Sequence, residues 1–112
     1  IDIRLGEIEH LPLGDAEADL AVISLVLQYL AKPEAAIAEV SRVLKAGGLF
    51  IVADFEKHDN STLRDVYGAR WLGFSRKEVA NWLAANGFTP QRTDSYELAA
   101  GLPLNIYHAV KN

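Results

Sequence analysis

The chain has 112 residues, of which half are apolar and 23% are charged, the balance of a single globular domain with one modest core. A net charge of −4 argues against nucleic acid and anionic membrane surfaces, which both favour clusters of Lys and Arg. The longest apolar run, 20–27, is shorter than the about 20 residues that span a bilayer. With no cysteine, no metal-ligand spacing of the three histidines and no visible signal peptide, we expect a cytoplasmic domain without a metal site.

The first third of the chain predicts two strands. Ile1–Leu5 alternates apolar and polar residues, the period of a half-buried strand. A polar loop over 7–18 follows, and Asp19–Ser24 is then almost continuously apolar. Continuous runs are typical of parallel strands that are covered on both faces, so we expect that environment for the second strand.

A helix and a third strand come next. Pro33 favours the first helical turn, Glu34 suits the positive end of the helix dipole, and Gly47 can adopt the left-handed stop. An apolar stripe recurs between these ends at helical spacing: Ile37, Val40, Leu44. Leu49–Ala53 predicts a buried strand that ends at Asp54, which completes a βαβ unit with a right-handed crossover.

The last half of the chain predicts two helices and a hairpin. An amphipathic helix opens at Asn60, and Ser75–Glu78 has the pattern of a capping box that starts a second helix. That helix stops at Gly87. Two β-like stretches, 88–98 and 104–110, predict a terminal antiparallel hairpin.

Four segments, in order and at matching spacing, resemble those of one enzyme family. Gly6–Leu13 is similar to G-D-A-E-x-L-P-F, and Asp15–Val22 to the D-x-x-F-D-x-V that enters the family's fourth strand. Leu27–Leu30 is similar to L-H-Y-L, and Glu39–Gly48 resembles E-x-x-R-V-L-K-P-G-G. The family is that of the class I S-adenosylmethionine-dependent methyltransferases. The segments 54–58 and 71–75 look closest to domains that resemble quinone C-methyltransferases, some of them fused to arsenical-repressor-type regulators.

The resemblance implies an α/β fold: a partial Rossmann-like sheet with helices packed on it and a C-terminal antiparallel hairpin. The family's strand order is 3-2-1-4-5-7-6, of which this chain supplies strands three to seven. Residues 1–112 therefore correspond to the C-terminal half of such a domain. The glycine-rich G-x-G-x-G turn, which lets the backbone approach the cofactor, does not occur in the sequence.

The resemblance also implies where S-adenosylmethionine would bind. Glu7 stands where the family bonds the adenine amino group, and the amide of Ile8 where the backbone meets the ring. Ser24 and Leu25 match the strand end whose backbone lines the methionine part of the cofactor. Glu7 could equally be a solvated loop carboxylate, and Leu25 a core side chain.

Two residues face the region where the family's methyl acceptor sits: Asp54 and His58. Either could serve as a general base for an acceptor that must lose a proton. Asp54 could instead cap a turn, and His58 could be an ordinary exposed side chain. Three aromatic residues could wall an apolar acceptor pocket or belong to the core: Tyr67, Trp71, Trp82.

The sequence thus favours a fragment of a methyltransferase that acts on a small molecule. Gln28 stands where many relatives have His, so no catalytic imidazole is available there. The alternative is a non-catalytic half-domain that serves as an assembly or regulatory module. In either case the strand 19–24 would expose an apolar edge, so we expect self-association through it or through an exchanged N-terminal segment. A dehydrogenase fragment would share the sheet but would not explain the four segments.

Overall fold

A computed structural model describes residues 14–25, 27, 30–57, 71, 73–99 and 102–112. The strand predicted over Ile1–Leu5 and the helix predicted from Asn60 lie outside these residues.

The described part of the chain forms a four-stranded sheet with two helices. In chain order the elements are β1 (Ala18–Ser24), α1 (Pro33–Val43), β2 (Leu44–Phe55), α2 (Arg76–Ala85), β3 (Phe88–Ala99) and β4 (Leu102–Lys111). The strand order is β1-β2-β4-β3, with β1 parallel to β2 and the other pairs antiparallel. This order equals the 4-5-7-6 part of the family's sheet and confirms the predicted fold class and hairpin. Neither described helix is long and apolar enough to cross a membrane.

The core lies on the face of the sheet that both helices cover. Alternate residues of a strand share a face, so Phe50, Val52 and Asp54 of β2 all point to this side. Phe50 and Val52 are fully buried, and the ring of Phe50 lies 5.2 Å from that of Phe88. The helices complete this core with their buried stripes: Ile37, Val40, Val79, Leu83.

The junction between α1 and β2 differs from the sequence expectation. The helix was expected to continue to Gly47, but it ends at Val43, and Leu44 is already extended and pairs with Ala18. Gly47 does adopt the left-handed conformation, with φ 84°, inside the irregular start of β2. A Cβ on Gly48 would lie 2.9 Å from the carbonyl oxygen of Lys45. Gly47 is therefore favoured by its backbone conformation, and Gly48 by the crowding around it.

Two basic side chains stabilise the junction between α1 and β2 through hydrogen bonds. The Arg42 guanidinium donates to Glu39 at 2.6 Å and to Asp15 at 2.9 Å, and these two hydrogen bonds raise its pKa above the ordinary value. The Arg42 carbonyl accepts a hydrogen bond from the amide of Ala16. From the other side, the Lys111 ammonium donates to the carbonyl of Leu44 at 2.8 Å and to that of Ser41.

The second helix follows the prediction closely. The Ser75 hydroxyl accepts a hydrogen bond from the amide of Glu78 at 3.1 Å, as its place in the capping box requires. The helix ends at Ala85 with Asn86 as its C-cap, and Gly87 takes a left-handed φ of 80°. The environment of β1 was predicted wrongly: Asp19, Val22 and Ser24 are exposed, Val22 by 54%, so the strand is not covered on both faces.

The chain that leaves β2 returns to pack against the end of the same strand. The amide of Phe74 donates to the carbonyl of Phe55 at 2.9 Å. A Cβ on Gly73 would lie 2.2 Å from the carbonyl oxygen of Glu56, far inside the van der Waals limit. Residues 57 and 73 are therefore held side by side.

We predict that Gly73→Ala destabilises the protein much more than Gly47→Ala. Both glycines have a left-handed φ, but a Cβ on Gly47 meets no atom within 4 Å. Gly47→Ala should therefore lower the free energy of unfolding by about 1 kcal/mol from backbone strain alone. Gly73→Ala adds a backbone clash worth about 1–3 kcal/mol more. Urea unfolding measures both, and equal losses would contradict the packing of Gly73 on Glu56.

Candidate functional site

The strands β1, β2 and β3 end at the same side of the sheet, where the antiparallel β4 begins. In register, Ser24 lies beside Ala53, Asp54 beside Asn105, and Asn105 beside Ser95. We call this side the carboxyl edge, formed by 24–25, 54–56, 95–96 and 104–105. Open α/β sheets bind ligands at the carboxyl ends of their strands, so this edge is the candidate site.

At the end of β1 the backbone is strained. Leu25 has φ 57°, a left-handed value that costs a non-glycine residue about 1–2 kcal/mol. Its amide donates to the carbonyl of Ala53 at 2.7 Å, which fixes the turn against β2. Ser24 is exposed, and Leu25 is only partly buried. Strain of this kind concentrates at ligand sites, which favours the cofactor role expected for both residues.

Asp54 lies inside the core, although it was expected to face the acceptor. Its side chain is 2% exposed, and its Oδ1 accepts a hydrogen bond from the amide of Phe55 at 2.8 Å. β2 continues one residue beyond the expected end, and Asp54 shares the face of Phe50 and Val52. The carboxylate therefore sits below the surface of the edge, and its catalytic role stays a prediction.

A polar network that the sequence analysis missed begins next to Asp54. Asn105 is fully buried, and its Nδ2 lies 3.4 Å from both Glu56 Oε1 and the hydroxyl of Tyr107. Its Oδ1 accepts a hydrogen bond from Ser95 Oγ at 2.7 Å. Burial raises the pKa of Tyr107 above 10.0, against a smaller opposite effect of the hydrogen bond with Asn105. A buried amide in a strand is tolerated because these bonds replace its water.

The network extends to the surface through an ion pair. Arg76, the first residue of α2, donates from Nη2 to Ser95 Oγ at 2.7 Å, and its Nε lies 3.3 Å from Glu56 Oε1. The Arg76 side chain is 57% exposed and that of Glu56 is 38% exposed. We call Glu56, Arg76, Ser95, Asn105 and Tyr107 the edge network. It links a buried amide to a solvent-facing ion pair at the candidate site.

Two of the three predicted aromatic wall residues fall within the described part of the chain. Trp82 packs against the core, with its ring 5.2 Å from that of Phe74. Trp71 is 43% exposed, and its indole donates to the carbonyl of Leu30 at 2.7 Å. This bond joins a residue shortly before α1 to one shortly before α2. Trp82 thus belongs to the core, while Trp71 presents an exposed ring.

Several predicted residues lie outside the described part of the chain: Glu7, Ile8, Gln28, His58, Tyr67. Nothing in the structure brings them to the edge or separates them from it. For the edge network the sequence did contain one signal. Asn105 interrupts the apolar face of 104–110, where a buried strand position normally holds an aliphatic side chain.

Comparison with known proteins identifies the family of this fold. Residues 1–52 match the family model described as a methyltransferase domain. The malonyl-[acyl-carrier protein] O-methyltransferase of Methylococcus capsulatus is 32% identical over 105 residues, which are 88% of this chain and 38% of that protein. A ubiquinone/menaquinone biosynthesis C-methyltransferase of a Caulobacter species is 40% identical over 83 residues, which are 71% of this chain and 31% of that protein.

A solved structure shows the same fold. The 1,6-didemethyltoxoflavin-N1-methyltransferase of Burkholderia thailandensis, with its substrate and S-adenosylhomocysteine bound, superposes with a TM-score of 0.74 at 23% identity. The match covers 94% of this chain and 48% of that chain. The present chain thus spans about a third of the length of the curated relatives it matches. The resemblance seen in the four sequence segments is confirmed.

We predict that Leu25→Gly is more stable than Leu25→Ala by about 1 kcal/mol, because only glycine removes the left-handed strain at φ 57°. Val22 provides the control, since it is an exposed position inside β1. There the order should reverse, with the glycine variant about 0.5–1 kcal/mol less stable than the alanine variant. Chemical denaturation of the four variants measures both differences, and the same order at the two positions would argue against strain at Leu25.

Proposed function

We propose that this chain, as part of a class I S-adenosylmethionine-dependent methyltransferase domain, forms the half that positions a small-molecule acceptor for methyl transfer. The observation that carries the proposal is the arrangement of the carboxyl edge. The strained backbone of Leu25 follows the end of β1, and the edge network lies beside it, where β4 begins and pairs with the last part of β2 and β3. Cofactor and acceptor contacts would then lie on neighbouring strands.

S-adenosylmethionine is the methyl donor of this family, and it supplies an activated methyl group to the acceptor. The described residues fit one part of it, since the left-handed turn at Leu25 follows the strand end where the methionine part is expected to bind. Glu7 and Ile8 would contribute the adenine contacts. The glycine-rich turn is not among the 112 residues, so the site needs a further segment to be complete.

The acceptor is proposed to lie over the ends of β2 and β4. Methyl transfer depends mainly on holding the acceptor in line with the sulfonium, so positioning groups matter more than a dedicated base. The burial of Asp54 supports a structural part for its carboxylate, and His58 is the remaining candidate for a base. The exposed ring of Trp71 would pack against an apolar part of the acceptor. We place the protein in the cytoplasm on the basis of its composition.

A titration with S-adenosylhomocysteine, the demethylated product, tests the proposal. We expect binding in the micromolar range by the whole product of the gene that encodes this chain. Residues 1–112 alone should bind at least about 100-fold more weakly, a loss of about 2.7 kcal/mol, because the glycine-rich contacts are missing. Isothermal calorimetry measures both constants. Absence of binding by the whole product would contradict the methyltransferase role.

The pairing and exposure of β1 favour a second candidate function, that of an assembly module. In the described part of the chain this strand pairs with β2 alone, and its Val22 is 54% exposed. Unpaired strand edges recruit strands from other chains. Two copies joined through β1 would form a continuous eight-stranded sheet, since each copy contributes the four described strands.

We predict that residues 1–112 form a dimer and that Val22→Lys makes them monomeric, because a charge on an edge strand opposes pairing. Tyr96→Lys is the matched control, since Tyr96 is also 54% exposed but lies on β3, the outermost strand on the other side of the sheet from β1. Size-exclusion chromatography with light scattering gives the mass of each. A wild-type monomer at high concentration would exclude the β1 interface.

A further inference from the structure

We infer that Glu56 and Arg76 form a subsite for a hydroxyl group of the methyl acceptor. The inference rests on the proposed function, which it extends from a small molecule to one that carries a phenol or another neutral hydroxyl. It gives the acceptor-facing role to Glu56, two residues beyond the buried Asp54.

The position of Glu56 is fixed from several sides. Its amide donates to the carbonyl of Pro103 at 2.9 Å, and its carbonyl is covered by Gly73. In its side chain, Oε1 lies 3.3 Å from Arg76 Nε and 3.4 Å from Asn105 Nδ2. A carboxylate has two oxygens, and Oε2 makes no hydrogen bond to another residue within the described ranges. Glu56 therefore presents one hydrogen-bond acceptor at the carboxyl edge in a set orientation.

Arg76 presents a donor next to this acceptor. Its Nε and Nη2 contact Glu56 and Ser95, while Nη1 has no hydrogen bond to any described residue, and the side chain is 57% exposed. A hydroxyl of the acceptor can give its hydrogen to Glu56 Oε2, and a neighbouring oxygen of the same molecule can accept a hydrogen bond from Arg76 Nη1. The two opposite charges offset each other, which favours a neutral group over an ion.

Stability alone does not account for this arrangement. An exposed ion pair contributes little to folding, and a strand position that is fully buried ordinarily selects an aliphatic residue. Asn105 is nevertheless placed there, and its amide reaches the one carboxylate oxygen that the guanidinium also contacts. A functional site requires its polar groups to be held in one orientation, and the Asn105 amide can hold the Glu56 carboxylate in this way.

Catechol and 1,2-dimethoxybenzene are a pair of probes with the same ring, but methyl groups replace both hydroxyl hydrogens in dimethoxybenzene, which therefore cannot donate a hydrogen bond. We titrate each into the ¹⁵N-labelled 112-residue chain and follow the side-chain signals of Asn105 Nδ2 and Arg76 Nε. Catechol should shift both signals, and dimethoxybenzene should shift neither. Glu56→Gln should weaken catechol binding at least about tenfold, because the amide puts a donor where the hydroxyl needs an acceptor. Glu34→Gln is the control, an exposed carboxylate in the first turn of α1.

The outcomes separate this inference from the proposed function. Equal responses to both probes, no response to catechol, or unchanged catechol binding by Glu56→Gln would overturn the subsite, whatever the titration with S-adenosylhomocysteine shows. A catechol response that Glu56→Gln removes and Glu34→Gln retains would support it. Failure of the whole product to bind S-adenosylhomocysteine would overturn the methyltransferase role separately.

Discussion

The pairing of β2 determines the rest of this structure. β2 pairs in parallel with β1 on one side and antiparallel with β4 on the other, and it supplies Phe50 and Val52 to the core beneath both helices. Because β4 runs against β2, its first residues meet the last residues of β2. This reversal brings Asn105 beside Asp54 and places its buried amide next to the partly exposed Glu56. The edge network is thus a consequence of the strand order, since its members are far apart in sequence.

The elements with local causes could be predicted from the sequence. The Ser75 cap, the proline at the start of α1 and the hairpin after Gly87 all depend on neighbouring residues, and the structure has them as expected. The end of α1 could not be predicted, because Leu44 leaves the helix in order to pair with Ala18, a contact between distant parts of the chain. The exposure of Val22 escaped prediction for a similar reason. An apolar run indicates a strand, but the cover of each face depends on elements elsewhere in the fold.

Of the candidate site, too, the sequence predicted only a part. Ser24 and Leu25 were found by resemblance, and the left-handed backbone at Leu25 adds a physical reason to regard them as functional. Asp54 was chosen because it follows an apolar run, but the strand is one residue longer and turns that carboxylate into the core. One of the four segments that resemble the family, Glu39–Gly48, lies at the opposite end of the sheet. There Arg42 and Gly48 stabilise the junction between α1 and β2. The similarity of this segment therefore reflects the fold of the domain and says little about its methyl acceptor.

The contact between Gly73 and Glu56 has an evolutionary consequence. Since residues 57 and 73 are side by side, the chain between them begins and ends at one point of the frame. Extending such a closed segment costs little, because doubling its length adds only about 0.6 kcal/mol of closure entropy. Insertions, deletions and exchange of residues between Lys57 and Trp71 are therefore compatible with an unchanged sheet. Gly73 is the position that such changes must spare, because any Cβ there would clash with the backbone of Glu56 and Lys57.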